Sequence, residues 1–462
     1  MILRIKRSVF FIQLLFLILL TFATVIFYCC NNSQAISITI LFLFCYACCQ
    51  MITGGLNRNI TFIAFLITFF TFLLTRIFIP LFINPDDLII NIGGGRPFNA
   101  EIQSFVNFSL YISLISAYLG YQIINRNSES FVIDSSTPFY KDKRIMRVRR
   151  FSKWATFFFS IFAVINILDQ IIYVLNHGYF DFYLNYTNSI PYIIVFLASF
   201  FEYFFVFYMA TMPSKKQAMP IIFIYLFVNL ASMGMGQRGG AVLAGIFIIS
   251  YFFLRNRINP GEKPWISKKG IVTIAMSVPI IIIFLFLVAY VRTDQDTDKF
   301  DKQNLILSFF YQQGVTVNVV GFVKDYENDL PEGKFYSVGK IIEFAEHNIA
   351  SQILFGTSGI KPQTTEHALE DHTLHATLTY LESPNLYFSG GGYGGCYIAD
   401  LWADFGIIGI IFGSIIYGLC LAKIRYWCSK SFWKASIGLL MYTGIIFAPR
   451  SNYIDFVYTM VR

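Results

Sequence analysis

The chain has little charge. Asp, Glu, Lys and Arg make up 13% of its 462 residues, against 56% hydrophobic residues, too little polarity to cover a water-soluble domain of this size. Its cysteines lack metal-site company: Cys29 and Cys30, and Cys45, Cys48 and Cys49, lie within or beside apolar runs with no zinc-ligand partners nearby. They read as packing residues, with an oxidising compartment around Cys29 and Cys30 as the alternative. No internal repeat is present, so an inverted-repeat transporter has no support. The formal charge of +8 would suit nucleic acid, but the basic residues sit in short loops between apolar runs, and no nucleic-acid partner is expected.

What is present is apolar length. Runs near or above the ~18-residue threshold for crossing a bilayer recur along the chain. The first, Ser8 to Tyr28, comes after Arg4, Lys6 and Arg7 as a signal peptide would. It is too long for such a segment, and Tyr28-Cys29-Cys30-Asn31 is a poor small-residue cleavage site, so it is read as a retained span. Spans are expected near 8–29, 35–52, 60–83, 103–124, 152–175, 189–211, 218–235, 239–254, 270–291, 396–420 and 434–449. With the N-terminus in the cytoplasm, every loop assigned to that side is basic. The cluster Lys141, Lys143, Arg144, Arg147, Arg149, Arg150 and Lys153 is the strongest of them, whereas an opposite loop such as 176–190 carries almost no Lys or Arg. Hydropathy and loop charge thus agree on an all-α polytopic membrane protein of about 11–12 transmembrane helices. Residues 451–462 are too short for a full span and suit a half-helix, a re-entrant segment or a surface helix.

The chain divides into three regions: a bundle over 1–291, a large external loop over 292–395, and C-terminal spans over 396–462. A loop of this length is far beyond an ordinary connection and points to function. Within it, Leu305 to Val323 suits an amphipathic helix, as does Glu343 to Leu354, and Pro384 to Gly395 ends in a glycine-rich turn. His347, His367, His372 and His375 lie in this loop, and His177 is on the same external side.

Arginines outside the basic-loop pattern are the informative residues. Arg238 lies in Met235-Gly236-Gln237-Arg238-Gly239-Gly240 between two short apolar runs, Arg292 ends a span, and Arg450 comes directly after Pro449. All three fall at the outer membrane level. A guanidinium there keeps its charge and binds phosphate oxygens bidentately, so three together would clamp a pyrophosphate; the alternative is that each reaches out to lipid phosphates. The spacing His367-x4-His372-x2-His375 resembles a metal set, but no HExxH or cysteine partner accompanies it, and neither metal nor cofactor is expected. His372 or His375 is a candidate base or substrate contact. Glu202 and Asp169 lie within spans and either pair with a neighbouring Arg or Lys or touch substrate. Tyr387, Phe388 and Tyr393 are placed to stack on sugar rings.

Three places carry a resemblance to a known family: Gly236-Gln237-Arg238-Gly239; the long loop closing with Gly390-Gly391-Gly392-Tyr393-Gly394-Gly395 and then Ile398-Ala399-Asp400-Leu401-Trp402-Ala403-Asp404-Phe405-Gly406; and Ala448-Pro449-Arg450. Together with the topology, they resemble the O-antigen polysaccharide polymerases called Wzy over essentially the full length. Asp400 stands where the family's IAE-type pattern has Glu, a mild departure. The resemblance implies a GT-C-like bundle in the bacterial inner membrane with its large loop in the periplasm. It implies an enzyme that polymerises undecaprenyl-pyrophosphate-linked oligosaccharide repeats among membrane lipids, with a chain-length regulator as a candidate partner. On this reading Arg238, Arg292 and Arg450 meet the leaving pyrophosphate. His372, His375, Glu366, Asp371 or Asp400 serves the acceptor hydroxyl, and Gln237, Gly239, Glu202, Tyr387 and Tyr393 contact substrate. An O-antigen ligase acting on a lipid A core acceptor is the nearest alternative, and a lipid-linked oligosaccharide flippase a more distant one.

Overall fold

The computed structural model describes residues 2–83, 98–127, 139–258, 263–283 with gaps at 268, 275, 278 and 279, 305–348 and 360–461. It is 83% helix, with no strand among the described residues. The composition accounts for this: in a low-polarity surrounding every backbone N–H and C=O must be satisfied within the segment, which helices do.

The first nine helices are α1 (Ile2–Cys29), α2 (Ser33–Thr53), α3 (Leu56–Leu81), α4 (Ala100–Asn127), α5 (Lys143–His177), the short α6 (Tyr179–Asn185), α7 (Tyr192–Ala210), α8 (Lys215–Ala231) and α9 (Gly239–Ile258). Polar side chains set several starts. Asn32 accepts the Ala35 N–H at 3.0 Å, and Asp142 accepts the Arg144 N–H at 2.8 Å. Next come α10 (Leu305–Gln313) and α11 (Val317–Asp325), then the loop helices α12 (Gly339–His347), α13 (Thr365–Leu369), α14 (Leu374–Glu382) and α15 (Pro384–Phe388). The chain ends with α16 (Tyr397–Lys430), α17 (Phe432–Phe447) and α18 (Asp455–Val461).

The central seam is α4 against α16. A Cβ at Gly418 would lie 2.1 Å from the Ala117 carbonyl oxygen, and one at Gly120 would lie 2.4 Å from that of Ile415, so the two backbones touch where side chains are absent. A buried triad locks the seam: Ser113 meets the Tyr397 hydroxyl at 2.5 Å and the Ser414 hydroxyl at 2.9 Å. α16 is broken at Gly406 (φ 59°, ψ −147°), a conformation that favours glycine.

One end of the bundle gathers basic residues on polar partners. Arg58 donates to Asn125 at 3.0 Å, Arg425 to the Arg58 carbonyl at 3.0 Å, Arg149 to Thr211 at 3.1 Å and Arg255 to the Pro213 carbonyl at 3.2 Å. The other end carries α10 to α15 and α18.

Among the described residues eleven helices are long and apolar enough to cross a membrane, and ten coincide with expected spans. The eleventh, Ile306–Asp325, differs from the expected amphipathic loop helix. It packs against α3, α4 and α16, with Val319, Val320 and Phe322 in the main core, because its apolar residues are not confined to one stripe. Of the expected span 270–291, residues 270–274, 276–277 and 280–283 are helical and the rest lies outside the described residues, as does the segment 349–354. Past Arg450 the chain forms the short helix α18, which folds back so that a Cβ at Gly444 would meet the Phe456 backbone at 2.6 Å.

Replacing Gly418 by Val should overpack the α4–α16 seam and destabilise the protein by about 1–3 kcal/mol. Thermal unfolding in detergent checks this against Gly245→Ala, where an added Cβ meets nothing within 4 Å and little change is expected.

Candidate functional site

Several segments meet at the loop-bearing end, around Phe72 and Phe447. α3 is not regular there: Phe70–Leu74 form a π-helical turn, a feature frequent at functional sites. The Phe72 ring meets Phe447 edge-on at 5.9 Å, and the Arg450 guanidinium carbon lies 5.5 Å from the Phe72 centroid. A Cβ at Gly239 would be 3.7 Å from the same Phe447 ring, which brings the Gly236–Gly240 loop to this point.

That loop turns because Gly236 adopts φ 78° after the 3-10 turn Ser232–Met235, its N–H bonded to the Met233 carbonyl at 2.8 Å. Arg238 then heads α9, and its carbonyl accepts the Val242 N–H at 3.2 Å. Arg238 therefore stands at the N-terminus of a 20-residue helix, where backbone N–H groups favour an anion. Gln237 donates to the Tyr183 hydroxyl on α6 at 3.4 Å. On the same helix, the Phe180 carbonyl would lie 2.6 Å from a Cβ at Gly390. The glycine-rich turn continues to Gly395, where a Cβ would lie 3.1 Å from Asn452 Oδ1, two residues past Arg450.

Arg450 is set by Pro449 in the 3-10 turn Ala448–Arg450. It donates to Thr316 Oγ1 at 3.2 Å and to the Gln313 carbonyl at 3.4 Å, in the 3-10 break that separates α10 from α11. Asp400, buried at the start of α16, accepts the Tyr453 N–H at 2.9 Å and so holds the turn after Arg450. Asp404 accepts the N–H groups of Tyr336 and Ser337 at 2.9 and 2.7 Å, anchoring the approach to α12.

Beside this cluster lies a cavity of about 410 Å³ lined by Lys340, Glu343, Phe344, Asn348, Ile360, Asp371 and Tyr458. Lys340 pairs with Asp455 at 2.7 Å, and the hydroxyl of Ser451, the residue after Arg450, donates to the same carboxylate. Burial, together with the neighbouring Asp371, pushes Glu343 up to about 7, against a hydrogen bond from the Thr373 hydroxyl. His367 Nε2 lies 3.7 Å from Asp371; its Nδ1 meets the Tyr387 hydroxyl at 2.8 Å, and that hydroxyl donates to the Thr364 carbonyl. Nδ1 of His367 is therefore the donor in that pair.

A family model for O-antigen polysaccharide polymerase Wzy matches residues 9–462. The chain belongs to this family. Neither a curated protein nor a solved structure matches it. It is accordingly a multi-pass membrane protein of O-antigen polymerisation, a glycosyltransferase-like reaction on lipid-linked sugar repeat units.

In this Wzy family member Arg238 and Arg450 lie on neighbouring turns, whereas Arg292 is outside the described residues. Among the described residues no three His, Cys, Asp or Glu side chains are grouped to hold a metal. His372 Nδ1 accepts the Phe335 N–H at 3.1 Å. His375 has its Nδ1 buried without a hydrogen bond, and burial, with Lys340 and His367 adding to it, pushes its ring down to about 3.

The aromatic expectation needs correcting. Tyr387 is 1% exposed and Tyr393 7%, the latter's ring against Phe322 at 4.8 Å; both are core residues of the loop, and Phe388 is the exposed ring. Glu202 is exposed midway along α7. Asp169 accepts hydroxyl bonds from Tyr186, at 2.7 Å, and Ser189, an arrangement that involves neither Arg nor Lys. Glu343 and Lys340 escaped the sequence reading because their i, i+3 spacing looks like any solvated helix face.

Because Glu343 holds its proton more tightly in the folded protein than the usual carboxyl, its contribution favours folding below pH ~4.5 and is lost as pH rises toward 7. Between pH 5 and 8 the melting temperature of Glu343→Gln should therefore fall less than that of the wild type, measured by thermal unfolding.

Proposed function

We propose that the protein joins undecaprenyl-pyrophosphate-linked repeat units at the periplasmic face of the inner membrane, with donor chemistry at Arg238 and Arg450. The observation that carries this reading is the meeting of the Arg238 loop and the Arg450 turn at Phe72 and Phe447, at the end of the bundle opposite the basic loops. The basic end is cytoplasmic by the positive-inside rule, so the arginine cluster lies at the outer headgroup level, where a lipid pyrophosphate would stand.

In the reaction the bond between the donor sugar's anomeric carbon and the pyrophosphate oxygen breaks, and its electron pair leaves with the lipid pyrophosphate. A hydroxyl oxygen of the acceptor repeat bonds to that carbon, and the hydroxyl proton goes to a base. Arg238 and Arg450 stabilise the charge that grows on the leaving pyrophosphate, an effect worth most where water is scarce. The α9 N-terminus adds to it.

The acceptor end of the repeat lies in the cavity of Glu343 and Asp371. Carboxylates accept bonds from sugar hydroxyls, and the cavity's size suits a small ligand. A carboxyl raised by burial and a like-charged neighbour is a better proton acceptor near neutral pH than His375, whose ring is pushed well down. Asp400 acts as a positioning residue through Tyr453. The chain-length regulator remains a proposed partner of the outer surface.

A strain deleted for this gene should make lipopolysaccharide with a core bearing a single repeat, and the wild-type gene should restore the ladder on a gel. Arg238→Ala, expressed at the wild-type level, should lose the ladder by at least about tenfold, and Arg238→Lys should restore only part of it. Bare core together with polymerised glycan on the lipid carrier would instead identify a ligase.

A further inference from the structure

We propose that Arg76, on α3, is a further guanidinium of the donor site and binds the lipid pyrophosphate beside Arg450; this rests on the reading of the donor site above. Arg76 lies just after the π-helical turn Phe70–Leu74, four residues beyond Phe72. One extra residue in a turn rotates the rest of the helix by about 100° relative to an unbroken one. The π-turn thereby sets the face on which Arg76 stands, next to the broken helix α10–α11.

The same short stretch holds both arginines. Arg76 stacks on Tyr311, its guanidinium carbon 4.7 Å from the ring centroid, while Arg450 is bonded to Gln313 and Thr316. Gly314 lies between them in sequence and presses on α3: a Cβ there would be 2.9 Å from the Arg76 backbone nitrogen and 2.7 Å from Thr75 Oγ1. Thr75 in turn donates its hydroxyl to the Phe310 carbonyl at 2.9 Å. The Arg76 side chain is therefore held by contacts that do not use its outer nitrogens. Its Nη1 is buried and makes no hydrogen bond, an unmet donor on a charged group that an anion would satisfy.

A bulk phospholipid phosphate offers the same oxygens, but Arg76 sits under Tyr311 and against Gly314 rather than reaching out along the surface. Two guanidiniums held to one turn suit the two phosphoryl groups of a pyrophosphate better than a single phosphate diester.

The test uses the full-length protein in phosphatidylcholine nanodiscs, titrated with geranylgeranyl pyrophosphate and, separately, geranylgeranyl monophosphate, with calorimetry as readout. Wild type should prefer the pyrophosphate. Arg76→Gln should weaken pyrophosphate binding about tenfold and monophosphate binding much less, and Arg76→Lys should recover part of the loss. Equal pyrophosphate affinity in wild type and Arg76→Gln, with Arg450→Gln weakened, would overturn the role of Arg76 and leave the donor site standing. Equal loss for both ligands would mean general phosphate attraction and would also overturn it. If Arg76→Gln melts early, Arg76→Lys decides: unchanged affinity in its folded fraction makes Arg76 a structural residue. Wild type that binds neither ligand would remove the donor site itself.

Discussion

A guanidinium stays charged at every accessible pH, so an apolar bundle can hold one only where carbonyls, hydroxyls, rings or an anion meet it. The two ends of this protein solve that problem differently. At the basic end, Arg58, Arg425 and Arg149 donate to asparagine, threonine and main-chain carbonyls and tie helix ends together, while Arg255 gives one bond to the Pro213 carbonyl and rests on the Tyr140 and Trp265 rings, with Nε and Nη1 buried and unbonded. At the other end Arg450 is held partly by a broken helix and partly by an aromatic face, and Arg76 has a buried donor with no hydrogen bond.

Keeping that end open depends on backbone irregularity, which low-polarity surroundings tolerate only when protein covers it. The π-turn in α3, the 3-10 break between α10 and α11, the left-handed Gly236 and the Pro449 turn are four such departures, packed on one another around Phe72 and Phe447. The rigid α4–α16 seam below, with its glycine contacts and hydroxyl triad, gives them a fixed base.

Above them, acids organise the loop. Asp404 and Asp400 hold main-chain N–H groups at the approaches to α12 and α18, and the Glu343–Asp371 cavity opens between those helices. Ser451 and Asp455 join the cavity wall to Arg450 within one short turn. On the proposed reading, a donor leaving group and an acceptor sugar are served by adjacent parts of one surface.

Much of this was written in the chain. Apolar length and basic loops marked ten of the eleven long helices, because hydrophobic transfer and loop charge are properties of composition that need no partner. The glycines around Arg238 and the proline before Arg450 marked both turns, since those residues act on their own backbone. Arg76 and Glu343 were not legible. A π-turn changes the face of every later residue in its helix, and an acid's proton affinity depends on burial and on neighbours distant in sequence, such as Asp371. Tyr387 and Tyr393 misled for the same reason: an aromatic beside glycines looks exposed until the fold packs His367 and Phe322 against it. The sequence by itself determined which segments are helical and apolar, because that is local. Only the tertiary structure decided which charged groups share a space, because packing alone brings residues 76, 238, 313 and 450 to one end of the bundle.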